Sequence, residues 1–112
     1  MIKLSSEIKN EYYYKFVGVT PNSKMIEYND NIVGFINYKE KNEYIYIYFI
    51  EIKSEYKRKN IASKVIDIIK EENKGKYVKG ESLPSAIKFW EKIGATFILD
   101  NDDYLTPFII NN

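Results

Sequence analysis

The sequence predicts a mixed α/β (α+β) domain, with an antiparallel run of strands, one parallel crossover and at least two helices. Three observations carry that reading. Short alternating segments between residues 24 and 52 are separated by tight turns. The apolar period then changes from two to three and four over Ile61–Ile69. An extended segment follows at once, so strand, helix and strand form a crossover unit. The 112 residues make one domain, residues 1–112, large enough to bury a core.

The elements follow in order. Ile2–Leu4 reads as a short strand, with Ser5 or Ser6 capping a helical turn. Tyr12–Val19 reads as a strand, because Tyr and Val favour extended backbone. Thr20-Pro21-Asn22-Ser23 is a turn by composition. Lys24–Tyr28 is a strand and Asn29-Asp30-Asn31 a turn. Ile32–Tyr38 is a strand with Gly34 as its weak point, and Lys39–Asn42 turns the chain back. Glu43–Ile52 is the strongest strand, since β-branched and aromatic residues alternate throughout. These three strands form an antiparallel meander.

Ile61, Val65, Ile68 and Ile69, with Ala62 and Ile66, mark an amphipathic helix. Asn60 is its N-cap and Gly75 lies past its end. Lys76–Lys79 is the strand that completes the crossover. A second helix opens near Ser82-Leu83-Pro84, carries Ile87, Phe89, Trp90 and Ile93, and ends at Gly94. Thr96–Leu99, the turn Asp100–Asp103 and Tyr104–Ile110 make a closing hairpin.

Composition removes much chemistry. There is no Cys and no His. Thiolate nucleophiles, thiolate zinc sites, imidazole bases and Ser-His-Asp triads are therefore excluded, and no metal is expected. Acid–base work falls to Asp, Glu, Lys or Tyr. The net charge of +1 does not steer the chain to nucleic acid or to a membrane surface. Met1–Glu7 lacks a signal-peptide core, and the longest apolar stretch, Tyr44–Ile50, is too short to cross a bilayer. A cytoplasmic location is the expectation.

The most informative stretch runs from Ile50 to Ala62. A long strand ends, the basic residues Lys57, Arg58 and Lys59 follow, and a helix opens among small side chains. Free N–H groups and the dipole at a helix start favour an anion, so this stretch suits a phosphate or pyrophosphate. It also reads as a solvated loop, with Glu51 and Glu55 diluting the charge.

The stretch resembles the first signature of the GNAT superfamily of N-acetyltransferases, Arg/Gln-x-x-Gly-x-Gly/Ala after a strand that ends in a Val-like residue. Ile52 fills the Val-like place, Lys57 the Arg/Gln place, Asn60 the first Gly place and Ala62 the last. Ala86-Ile87-Lys88-Phe89-Trp90-Glu91-Lys92-Ile93-Gly94-Ala95 is similar to the second signature, Ala-x-x-Phe-Tyr-Glu-Lys-Leu-Gly-Phe. Thr106-Pro107-Phe108 resembles the family's closing run. The likeness covers about residues 26–110. Three departures stand out. Asn60 replaces Gly, Leu83 replaces an Asn that contacts the cofactor arm, and Trp90 replaces the Tyr that protonates the leaving thiolate. The helix pair between the first two strands is short or missing.

The resemblance implies a GNAT-like acyl-CoA N-acyltransferase fold. Its sheet has about six or seven strands, mostly antiparallel, with a central, splayed parallel pair and flanking helices. It implies acetyl-CoA as cosubstrate and direct attack by an amine, carried on a small molecule or a protein. Backbone near Ile50 and Ile52 would pair with the pantetheine arm. Amides from Arg58, Lys59, Asn60, Ile61, Ala62 and Ser63, with Lys57, would hold the pyrophosphate, and Phe89 and Trp90 would line the cofactor. Glu51 and Glu81 are the carboxylates near the implied splay. Tyr46 stands about where some members carry a Glu base, and a phenol with a pKa of about 10 is a poor base at neutral pH. For all three, solvated strand residues or sheet packing is the simpler role. A second function stands beside transfer: a non-catalytic module that binds CoA or a partner. The short N-terminal region leaves the acceptor side open to completion by a second subunit, a homodimer.

Overall fold

The computed structural model describes residues 1–98 and 104–112. The expected turn Asp100–Asp103, with Leu99, lies outside the described residues. Among them are seven strands and three helices. The strands are β1 (Ile2–Ser5), β2 (Lys24–Tyr28), β3 (Asn31–Glu40), β4 (Tyr44–Ile52), β5 (Tyr77–Ser82), β6 (Thr96–Phe97) and β7 (Thr106–Ile110). The helices are α1 (Tyr12–Lys15), α2 (Ile61–Glu72) and α3 (Ile87–Lys92). The hydrogen-bonded order is β1-β2-β3-β4-β5-β7-β6. The sheet is mostly antiparallel, with β4–β5 the parallel pair, so the expected mixed class holds. None of the described helices is long and apolar enough to cross a membrane.

The contacts group the chain into two compact units, Met1–Tyr38 with Phe49–Ile69, and Lys39–Tyr48 with Lys70–Asn112. In the first unit β2 pairs antiparallel with β1 and β3. Asn29 and Asp30 turn the chain between β2 and β3 with φ of 49° and 68°. Short polar side chains tolerate that left-handed backbone better than most, which explains the Asn-Asp pair here.

The segment expected as a strand at Tyr12–Val19 is instead a helical turn over Tyr12–Lys15. The reason is packing. Tyr12 opens the helical turn and Phe16 follows its end four residues on, and both are buried with Val19, Met25 and Phe35, while Ile8 and Ile32 pack against them. The Phe16 and Phe35 rings meet edge to face at 5.8 Å. Tyr14, between the buried positions, is 90% exposed. A one-sided apolar stripe outweighs the extended preference of Tyr and Val. Helix α2 buries Ile61, Val65, Ile66 and Ile69 on one face and runs from Ile61 to Glu72.

In the second unit β5 runs parallel to β4 and antiparallel to β7. It continues through Gly80, Glu81 and Ser82, three residues beyond the expected Lys79. Their intrinsic preference for strand is low, but β7 supplies the partners. Gly80 is required there. A Cβ at that position would stand 2.7 Å from the Ile47 carbonyl oxygen and 3.0 Å from the Phe108 ring. The second expected helix divides into a 3₁₀ turn at Pro84–Ala86 and α3. Trp90 stacks on Phe108 at 4.3 Å, and both are buried.

Candidate functional site

Each unit carries part of the predicted constellation. In the first, β4 ends at Ile52, a 3₁₀ segment covers Ser54–Lys59, and α2 opens at Ile61. Two contacts hold the end of β4. The Lys53 N–H donates to the Val33 carbonyl at 2.7 Å. Gly34 lies so close to β4 that a Cβ there would stand 2.0 Å from the Glu51 carbonyl oxygen. The expected weak point of β3 is thus the position where β4 presses on it. The edge-to-face contact between Tyr28 and Tyr56 at 6.1 Å fastens the 3₁₀ segment.

Asn60 joins that segment to α2 with φ 58° and ψ 27°. It stands at the start of the helix as expected, and its carbonyl accepts the Lys64 N–H at 3.1 Å. Its backbone is left-handed, whereas an ordinary N-cap is extended. This accounts for Asn where the resembling signature has Gly. Helix geometry leaves the first N–H groups of α2 without partners along the helix. The first turn contains no acidic residue. Lys57, Arg58, Lys59 and Asn60 are exposed, and Ala62 and Ser63 half-buried. Ile52 and Ile61 bury their side chains, so each has only main chain to offer a ligand. Ile50 and Glu51 are half-buried.

In the second unit the parallel register covers Tyr44–Ile47 against Tyr77–Gly80, while β4 continues to Ile52 and β5 to Ser82. Tyr46 and Glu81, 35 residues apart, are brought together: the phenol donates to Glu81 Oε1 at 3.1 Å. Glu51 belongs to the other unit. Burial, then the Glu81 hydrogen bond and charge, hold the Tyr46 phenol above its ordinary value near 10. It is therefore a proton-bearing donor at neutral pH. The folded chain keeps this proton more tightly than the unfolded chain does. The associated stability is whole below about pH 10 and is lost as pH climbs through the raised value. Tyr46→Phe is expected to flatten the alkaline fall in stability, read from urea midpoints between about pH 9 and 11. Superimposable slopes in the two proteins would contradict this.

Phe89 is half-buried, and its ring meets Trp90 edge to face at 4.9 Å. Trp90 is 5% exposed, so the larger residue of the pair is the core residue. Leu83, at the Asn place of the resembling signature, is 40% exposed. Two neighbours of Tyr46 escaped the sequence reading. Tyr48 is 59% exposed and tilts against Tyr46 at 4.8 Å. Lys79 stands over the Tyr44 ring at 4.5 Å. The available signal was the alternation Tyr44, Tyr46, Tyr48 in one strand and Tyr77, Lys79, Glu81 in the other. The first unit also contains an open cavity of about 260 Å³, lined in part by Glu11, Lys15, Asp30, Lys53 and Tyr56. None of Glu51, Glu81, Tyr46 and the residues assigned to the cofactor lines it.

Residues 3–104 match the family model described as an acetyltransferase (GNAT) domain. No curated protein matches the chain by sequence. Among solved structures, the chain is similar to the Bacillus subtilis N-acetyltransferase YlbP in complex with coenzyme A. That similarity has a TM-score of 0.77 at 13% identity, over 100% of this chain and 97% of that one. It is similar to Escherichia coli ElaA, with a TM-score of 0.67 at 11% identity over 100% of each chain. It is also similar to the PaiA N-acetyltransferase of Thermoplasma acidophilum in complex with coenzyme A. There the TM-score is 0.67 at 16% identity, over 80% of this chain and 60% of that one. At these identities the likeness is one of fold.

Proposed function

Because the chain belongs to the GNAT acetyltransferase family, we propose that it moves an acetyl group from acetyl-CoA to an amine by direct attack in a ternary complex. The observation that carries this reading is the opening of α2. A left-handed Asn60 follows three exposed basic residues and leads into a first turn without acidic side chains. Such a start suits a pyrophosphate, because free N–H groups, the dipole and the cations all act in one direction. The small Ala62 leaves room beside it. Lys57, Arg58 and Lys59 would attract the cosubstrate, and the amides of Asn60, Ile61, Ala62 and Ser63 would hold its phosphates. Backbone of β4 around Ile50 and Ile52 would take the pantetheine arm as an added strand. Bound acetyl-CoA supplies an acyl group active enough for an amine nitrogen to form the C–N bond as the C–S bond breaks.

Direct attack needs no protein nucleophile, in keeping with a chain that has no Cys or His. Glu81, which accepts the Tyr46 phenol, and Glu51 are the two carboxylate candidates for taking the acceptor's proton, directly or through water. Trp90 can donate a hydrogen bond but no proton. A thiol with a pKa of about 8.5 can leave as its anion, so the tyrosine usual at this place is not indispensable. The cytoplasm is the fitting location for such a transferase.

The test pairs calorimetry of CoA binding with thiol release from acetyl-CoA against a panel of amines. CoA binding together with amine-dependent thiol release is the expected result. Binding without thiol release from any amine would favour the non-catalytic module. Absence of CoA binding would overturn both.

A further inference from the structure

We propose that Tyr46, Tyr48 and Glu81 form a cation subsite, and that the acceptor it serves is an ammonium on an aliphatic chain with no acid group at its far end. The substrate class rests on the transferase reading above; the subsite itself does not. Register places Tyr44 beside Tyr77 and Tyr46 beside Lys79, so these side chains share one face of the parallel pair. Side chains alternate along a strand, so Tyr48 and Glu81 lie on that face too. Pro107 and Ile109, opposite Glu81 and Lys79, border it with apolar surface.

The charges on this face are sorted along its length. Lys79 leans back over the Tyr44 ring. Tyr46 leans forward and donates to Glu81. The cation is thereby held at one end and the carboxylate at the other. A carboxylate has about four acceptor positions, and a single phenol leaves room for an ammonium. Tyr46 bonds Glu81 directly, and the Tyr48 ring lies against the Tyr46 ring, 4.8 Å away and inclined at 52°. Ring faces attract cations, and the aromatic surface also takes methylenes. Tyr48 and Glu81 are exposed, so a ligand can reach them from solvent. A carboxylate at the acceptor's far end would add a second negative charge near this face, while Lys79, the cation able to offset it, is engaged at Tyr44.

The probes are 1,5-diaminopentane and 6-aminohexanoate, which share a five-carbon spacer and differ in the terminal charge. Binding to the whole chain is read by saturation-transfer NMR without any acetyl donor. The diamine is expected to bind at least about 10-fold more tightly, and Glu81→Gln to shrink that preference below about 3-fold. Glutamine keeps an oxygen for Tyr46, and a melting curve checks the fold. Should that variant fail to fold, Tyr48→Leu at the exposed position is expected to weaken diamine binding about 3-fold. Equal binding of the two probes by the parent overturns the subsite, as does an undiminished preference in the folded Glu81→Gln protein. Thiol release with acetyl-CoA, run in parallel, separates the two ideas. If the amines bind alike but turnover occurs, transfer stands and the subsite falls. If the diamine is preferred but CoA does not bind, the subsite stands and transfer, with the substrate class built on it, falls.

Discussion

Gly34→Val is expected to lose about 3 kcal/mol of stability or more, at the upper end of what overpacking causes. A Cβ at this position would stand 2.0 Å from the Glu51 carbonyl oxygen and 3.0 Å from Ile52 Cα. These are backbone atoms, so no side-chain rotation relieves the clash. Strands β3 and β4 must separate locally, and the hydrogen bond from Lys53 N–H to the neighbouring Val33 carbonyl is in the path of that movement. Urea denaturation of the variant and the parent measures the loss. A difference below about 1 kcal/mol would mean that the strands can part at little cost. Any folded variant should also bind CoA less well, because Glu51 and Ile52 lead directly into the segment that ends at Asn60.

Reversing three charges together, Lys57→Glu, Arg58→Glu and Lys59→Glu, should weaken CoA binding by about 100-fold or more while barely moving the melting temperature. The two halves of this expectation have separate origins. All three side chains are exposed, so the core does not register the change. CoA brings a pyrophosphate and a further phosphate, and the substitutions put three negative charges where three positive ones stood. Calorimetry reads the loss directly. Parent binding should also weaken with salt, because charges in water are screened over about 8–10 Å at moderate ionic strength. A triple variant that binds within about threefold of the parent would take the phosphates away from this loop and leave the family membership untouched.

Much of this was legible where local pattern and tertiary demand agree. Strand β2 matched its expected Lys24–Tyr28, and β4 came within one residue of its start. Helix α2 announced itself through its buried stripe. The misreadings share a cause. At Tyr12–Lys15 the residues favour strand, but the four-residue spacing of Tyr12 and Phe16 favours helix, and burial decided for the spacing. Gly34 and Gly80 weaken a strand on local grounds. What makes them necessary is a neighbouring backbone that cannot be read from one segment. Phe89 and Trp90 lie on one helix, and sequence alone does not tell which ring meets Phe108. At the candidate site, the place of Asn60 at the start of α2 was legible, whereas its left-handed backbone departs from the expected N-cap and the Tyr46–Glu81 hydrogen bond required the register of β4 on β5.

The outermost strands set how the molecule behaves when crowded. Strand β6 is two residues long, and β1 is four with Lys3 exposed. Each margin of the ladder offers a visiting chain few unpaired amides and carbonyls, and one of them bears a charge that resists dehydration. Strand addition at these two described margins is therefore disfavoured in concentrated solution.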